Sequence, residues 1–253
     1  MDGVPPASAT DPLTALAELP GVAEAVAGAR DAVTTVHNHP ANRRGWPATS
    51  AEAALRAARA SAALDGAPLT PERSDHVENP VLAGAVRIAD ERNRLSDAWR
   101  TAPLQALARL HVLAAADLLP ASEHQDGLGR PRPGQDVSAR LSMLADLVTG
   151  GTKVAAPVLV AVVHGELLTL RPFGAADGVV ARAAARLTAI SSGLDPRGLA
   201  VPEVGHLRRS AEYRSASEAF ATGTADGLAT WIRHCCAEWE AGGREGVSIA
   251  EAQ

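Results

Sequence analysis

Apolar residues recur along most of this chain at intervals of three and four, the spacing that puts them on one face of a helix. Leu13 to about Val36 carries Leu, Val and Ala in that rhythm, broken near Pro20 and Gly21. His37 to Pro47 (HNHPANRRGWP) reads as a polar linker. Thr49 and Glu52 have capping-box spacing, which predicts a helix over 51–64, ended by Gly66 and Pro68. Asn79-Pro80, a capping side chain followed by proline, opens a helix toward Trp99, and Thr101 is placed to cap the next, to about Leu119. Pro120 to Gln135 is a long polar loop, and loops of that length in a small domain usually carry function. Further helices are predicted over about 136–149, 155–170, 175–193, 210–222 and 225–241, with no stretch that reads convincingly as a strand. The expected fold class is all-α, seven or eight helices in a domain spanning 47–242. Residues 1–46 form an N-terminal extension and linker, and 243–253 a tail.

Composition supports the helical reading. Alanine fills 54 of the 253 positions and the aromatic residues total seven, a balance that favours closely packed helices over sheets. A net charge of −5 supplies no basic excess for nucleic-acid binding. The longest apolar run, Val154 to Val163, contains Pro157 and is too short to span a bilayer. The first residues carry an acid where a secretory signal needs basic charge. The two cysteines, Cys235 and Cys236, are adjacent and cannot build a disulfide framework, so a reducing cytoplasm is expected, with one thiol in the core and one part-exposed.

The informative stretch is His164 to Arg182 (HGELLTLRPFGAADGVVAR). One helix stops at Arg171-Pro172-Phe173, a Gly/Ala/Asp turn follows, and a second helix begins before Arg182. Free backbone N–H groups and the positive end of a helix dipole then lie beside Gly174 and Gly178, an arrangement suited to phosphate or another anion. Arg171 and Arg182 would add bidentate charge. Spacing alone favours an ordinary helix corner with two solvated arginines.

This segment resembles the Fic (Fido) family, whose signature is H-P-F-x-(D/E)-G-N-G-R-x-x-R. Glu212-Tyr213-Arg214 and the run Ala219 to Trp239 are similar to that family's closing helices. Ser61 to Gly66 resembles its inhibitory motif, (S/T)-x-x-x-E-(G/N), with Ser61, Asp65 and Gly66 on the matching positions. The 127–135 loop, which opens with GLGRPRP (127–133), falls where the family carries a short flap that positions a target. The resemblance implies a Fic-like helical fold and a nucleotide, ATP or another, as ligand. Family members typically transfer AMP to a protein hydroxyl, with the motif histidine as base and the motif acid holding Mg²⁺.

The departures from the motif bear on function. Arg171 stands at the base position and, staying protonated, cannot accept a proton. Pro172 and Phe173 match, Ala175 replaces the metal-holding acid, Ala176 a glycine and Val179 the first arginine. Asp177 stands where the family has Asn, while Gly178 and Arg182 match. Standard AMP transfer is therefore not expected, no residue is assigned a catalytic role, and Asp177 alone makes a poor Mg²⁺ site. Arg171, Gly174, Asp177, Gly178 and Arg182 remain as candidate nucleotide or phosphate ligands, and the resemblance implies that Asp65 pairs with Arg182 to close the site.

Three roles stay open: a regulatory or interaction module that binds a phosphate-bearing ligand or a protein partner, a transferase of altered chemistry, and a structural helical protein. His164, two turns before Arg171, is expected to be structural and hydrogen-bonded. His37 and His39 with His76 or His111 show no metal-ligand spacing, and no metal site is assigned.

Overall fold

Small side chains set how closely these helices approach. The computed structural model describes residues 11–69 and 77–253, and among them there are thirteen α-helices and no strand. In chain order they are α1 (Thr14–Ala17), α2 (Val22–Asn38), α3 (Asn42–Leu64), α4 (Pro80–Asp90), α5 (Arg92–Thr101), α6 (Pro103–Ala115), α7 (His124–Gly127), α8 (Gln135–Asp146), α9 (Ala156–Leu170), α10 (Asp177–Ser191), α11 (Pro202–Arg208), α12 (Ser210–Ala221) and α13 (Ala225–Glu251). None of the described helices is long and apolar enough to cross a membrane. His76 lies outside the described residues.

α9 is the central element. It is apolar almost all round, from Pro157 to Leu170, and such a helix is stable only when surrounded. It packs against α10, α12, α13 and α2. Gly165 lets this happen: a Cβ there would lie 2.6 Å from Trp231 Nε1 and 2.9 Å from the Phe220 ring. α3 turns an alanine face (Ala53, Ala57, Ala60, Ala62) toward the interior and packs on α4, α10, α11 and α13.

The structure departs from the sequence reading in several places. His37 to Pro47 is no linker, because α2 continues to Asn38 and α3 starts at Asn42 with Pro47 inside it. The cause is Asn42, fully buried, which donates from Nδ2 to the Val36 carbonyl (2.8 Å) and accepts from Thr49 Oγ1 (2.7 Å). Thr49 is therefore turned inward rather than capping, and the carbonyl that Pro47 leaves without a helical donor lies in an exposed first turn, within reach of water.

The 80–99 segment is two helices divided at Glu91, and Thr101 ends α5 rather than capping the next helix, which Pro103 opens after Ala102. α11 was not anticipated. Finally, α13 runs past 241 to Glu251. Gly242, Gly243 and Gly246 read by propensity as a stop, yet they are where other backbone comes closest: a Cβ on Gly242 would be 2.6 Å from Pro202 N, and Val201 N–H donates to the Gly242 carbonyl at 3.0 Å.

α13 is covered on more than one side, by α2, α9, α11 and α12. Both cysteines are consequently buried, where one had been expected to be part-exposed. Burial pushes the Cys236 thiol up to about 12 and Cys235 well above its usual value, so neither is a thiolate at neutral pH.

Candidate functional site

The site forms where the end of α9, the turn 171–176, the start of α10 and the end of α3 converge. α9 stops because Arg171 adopts a left-handed conformation (φ 46°). Ala176 is left-handed as well (φ 54°), and two such non-glycine residues cost of order 1 kcal/mol or more each.

Several contacts hold the turn in that shape. Asp177 accepts from Phe173 N–H (2.9 Å, Oδ1) and from Gly174 N–H (2.8 Å, Oδ2), folding its carboxylate back over the turn. Arg132, in the loop between α7 and α8, donates from Nε to the Arg171 carbonyl (3.0 Å) and from Nη2 to the Leu170 carbonyl (2.9 Å). Its own backbone N–H donates to the Pro172 carbonyl at 2.7 Å. A cation on the last carbonyls of a helix is favoured by the dipole.

His111 of α6 joins both segments. Its ring stacks on Phe173 (centroids 4.2 Å apart, planes 6° apart), and its Nδ1 accepts from Gly129 N–H at 2.9 Å. Burial pushes its imidazole down to about 4, so it is neutral.

Asp65 is delivered by the end of α3. Gly66 is left-handed (φ 95°), Gly66 N–H donates to the Ala63 carbonyl and Ala67 N–H to the Ala62 carbonyl. These are the two bonds of a Schellman ending, and they fix Asp65 at the last helical corner. Its carboxylate accepts from Arg182 Nη2 (2.7 Å, Oδ1) and from Val179 N–H in the first turn of α10 (3.0 Å, Oδ2). The Asp65–Arg182 pair expected from the sequence is thus formed. Gly178 has to be glycine in this arrangement, because a Cβ there would overlap the Asp65 carboxylate.

Arg182 is enclosed. Besides Asp65 it donates from Nε to Ser61 Oγ (2.8 Å), from Nη2 to the Ser61 carbonyl (2.9 Å) and from Nη1 to the Tyr213 hydroxyl (3.3 Å). Desolvation works against its charge, but Tyr213 and Asp65 outweigh it and its pKa is raised. Arginine can only donate, so the Tyr213 proton must point the other way, to His164 Nε2 at 2.9 Å. His164 is thereby the Nδ1-protonated tautomer and is structural, as expected. Burial, then the Arg182 charge, holds its pKa well below the usual value. Burial pushes Tyr213 itself up to about 12.

Two carboxylates of the chain therefore sit on the N–H groups that an incoming anion would use. Asp177 covers Phe173 and Gly174, and Asp65 covers Val179 and Arg182. Burial pushes the Asp177 carboxyl up, against the pull of its two backbone N–H partners and of Arg171 and Arg132. Arg171 and Gly174 are exposed at the rim, whereas Arg182 is 3% exposed. Beside Arg182, an almost wholly apolar cavity of about 50 Å³ lies between α3, α4, α5 and α10, lined in part by Ala57, Ile88 and Val179. That is room for a few waters, far short of the several hundred Å³ a nucleotide needs.

The remaining histidine candidates are scattered. His37 Nε2 faces Asp195 Oδ1 at 2.7 Å, and His111 serves the turn. Sequence reasoning missed Arg132 and His111 as parts of the site. The GLGRPRP loop was the only signal for the first, and nothing in the sequence marked the second.

The sequence matches no protein-family model and no curated protein. Its fold does match solved structures. Fic-1 from C. elegans superposes with a TM-score of 0.66 at 16% identity, over 92% of this chain and 72% of that one. A variant of the same nematode protein gives 0.63 at 15% identity, over 90% and 71%. A Fic family protein from Desulfovibrio desulfuricans G20 gives 0.62 at 17% identity, over 99% of this chain and 78% of that one. With the turn, its two flanking helices and the Asp65–Arg182 closure in place, the chain has the all-α fold of the Fic proteins.

Proposed function

We propose that this chain is a Fic-fold module whose anion cradle takes a nucleotide or another phosphate-bearing ligand in exchange for the Asp65 carboxylate, in a regulatory or interaction role without AMP transfer. The observation that carries this reading is the position of Asp65. A carboxylate that accepts from a helix-start N–H and a buried guanidinium stands in for a phosphate, since both anions ask for the same donors. Arg171 offers no proton acceptor at the turn, and Ala175 no metal ligand. The ligand's phosphate would meet Val179 N–H and Arg182, with Arg171 at the rim. Two free cysteines fit a cytoplasmic setting.

The test is calorimetry with ATP, ADP, AMP and pyrophosphate, with and without Mg²⁺, on the wild type and on Asp65→Ser. Binding strengthened at least about tenfold in Asp65→Ser, about 1.4 kcal/mol, with no transfer of labelled AMP to any protein, supports the reading. No heat with any of the four in either protein overturns it.

A further inference from the structure

A second cluster of chemistry-bearing side chains lies between α11 and α13, and the anion turn makes no use of it. Among the described residues, His206, His234 and Glu238 are the one group of three or more such side chains close enough together to share a cation, with ligand atoms within 4.8 Å of one another. His206 Nδ1 and His234 Nε2 stand 3.2 Å apart, and His234 Nε2 is 3.9 Å from Glu238 Oε1. A tetrahedral cation bound at about 2.0–2.1 Å to two imidazoles holds their nitrogens roughly 3.3–3.4 Å apart. The two rings are already at chelating separation, and on that geometry the carboxylate has to close by about half an ångström on His234 and by up to about 1.5 Å on His206.

Glu238 supplies the second observation. It is 0% exposed, and its Oε2 has no hydrogen-bond partner. Oε1 is paired with Arg209, whose Nη2 lies 2.6 Å away and whose side chain is 41% exposed. A buried carboxylate held from one side by a half-exposed guanidinium keeps acceptor capacity that a cation would satisfy. Space for it depends on Gly205, because a Cβ there would overlap Glu238 Oε2. Burial holds both imidazoles neutral, His234 at about 4, which is the form that ligates metals.

We propose that His206, His234 and Glu238 form a site for a divalent cation of the zinc class that ties α11 to α13. Two imidazoles and one carboxylate are a borderline donor set suited to Zn²⁺. His234 and Glu238 are one turn apart on α13, and His206 closes the set from α11. The single N–H now between the two rings moves to the far nitrogen of its own ring when the cation enters, so both facing nitrogens become ligands with no net proton change at the rings. Arg209, on the exposed side, swings out to water. The cation also stiffens the ground beneath the anion turn, because the His206 ring packs on Tyr213, the partner of Arg182 (centroids 4.6 Å).

The full chain, stripped with chelator, is titrated with Co²⁺ and followed by visible absorption, then with Zn²⁺ by calorimetry. One equivalent of Co²⁺ giving the intense visible bands of a four-coordinate site, displaced by Zn²⁺, is the expected result. Affinity should fall at least about tenfold in His206→Gln, His234→Gln and Glu238→Gln, each checked for native helicity. Arg209→Ala removes the guanidinium that competes with the cation for Glu238 and supplies no ligand itself, so this variant should bind more tightly. The absence of a saturable cobalt band in the wild type overturns the proposal without recourse to any variant. A band unchanged in both histidine variants overturns it too, by placing the ion elsewhere.

Discussion

Asp65 and Arg182 can be tested as a pair by a double-mutant cycle. Asp65→Ala removes the acceptor of two hydrogen bonds, from Arg182 Nη2 at 2.7 Å and Val179 N–H at 3.0 Å. Hydrogen bonds to a charged group are worth about 1.5–3 kcal/mol each. The Asp65 side chain is 26% exposed, so water takes over part of both, and the expected loss is about 2–3 kcal/mol. At roughly 2–4 °C per kcal/mol for a chain of this size, the midpoint falls by about 5–10 °C. Arg182→Met strands Ser61 and Tyr213 as well and should cost about 3–5 kcal/mol. The double variant should be less destabilised than the sum by about 2 kcal/mol, because the pair is lost only once. Urea unfolding of the four proteins gives the cycle. Additivity within about 0.5 kcal/mol refutes the pair as an energetic latch. Inorganic phosphate at tens of millimolar separates the functional reading from the structural one: it should restore part of the midpoint lost in Asp65→Ala and leave the wild type unmoved.

Acid should destabilise the fold as the histidines of the unfolded chain take up protons. His111, His164, His206 and His234 are held below their usual value by burial and are neutral in the native state, while in the unfolded chain they take up protons near pH 6.5. Their contribution is therefore complete above about pH 6.5 and is lost as pH falls toward 4, up to about 3 kcal/mol each for His111 and His234. Unfolding free energies in chelator that stay level from pH 7 to 5 would contradict this. Asp177→Ala uncaps Phe173 and Gly174 N–H and leaves Arg171 and Ala176 strained, so a loss of about 2 kcal/mol is expected in the same urea assay. Gly242→Ala pushes α13 off the 201–202 backbone and should cost about 1–3 kcal/mol; a midpoint equal to wild type would show that this approach is slack.

Residue order alone sets the helical class, because alanine-rich periodicity without alternation leaves a sheet nothing to pack with. It also sets the corner. The glycines, the proline at 172 and the arginines of 171–182 are local features, readable in order, and so was the Ser61–Gly66 segment with its αL glycine. It did not determine where α13 ends, since Gly242 and Gly243 disfavour a helix locally and are tolerated only because α2 and the 201–202 backbone press against them. It misread His37 to Pro47 for the same reason: Asn42 is polar in sequence yet buried by partners in the fold. Which carboxylates cover the N–H groups of the corner was settled by packing, because Asp65 reaches Val179 N–H from 114 residues away while Asp177 reaches Phe173 and Gly174 from within the turn. His206, His234 and Glu238 belong to that class too. His234 and Glu238 share one turn of α13, but only packing brings His206 of α11 to them.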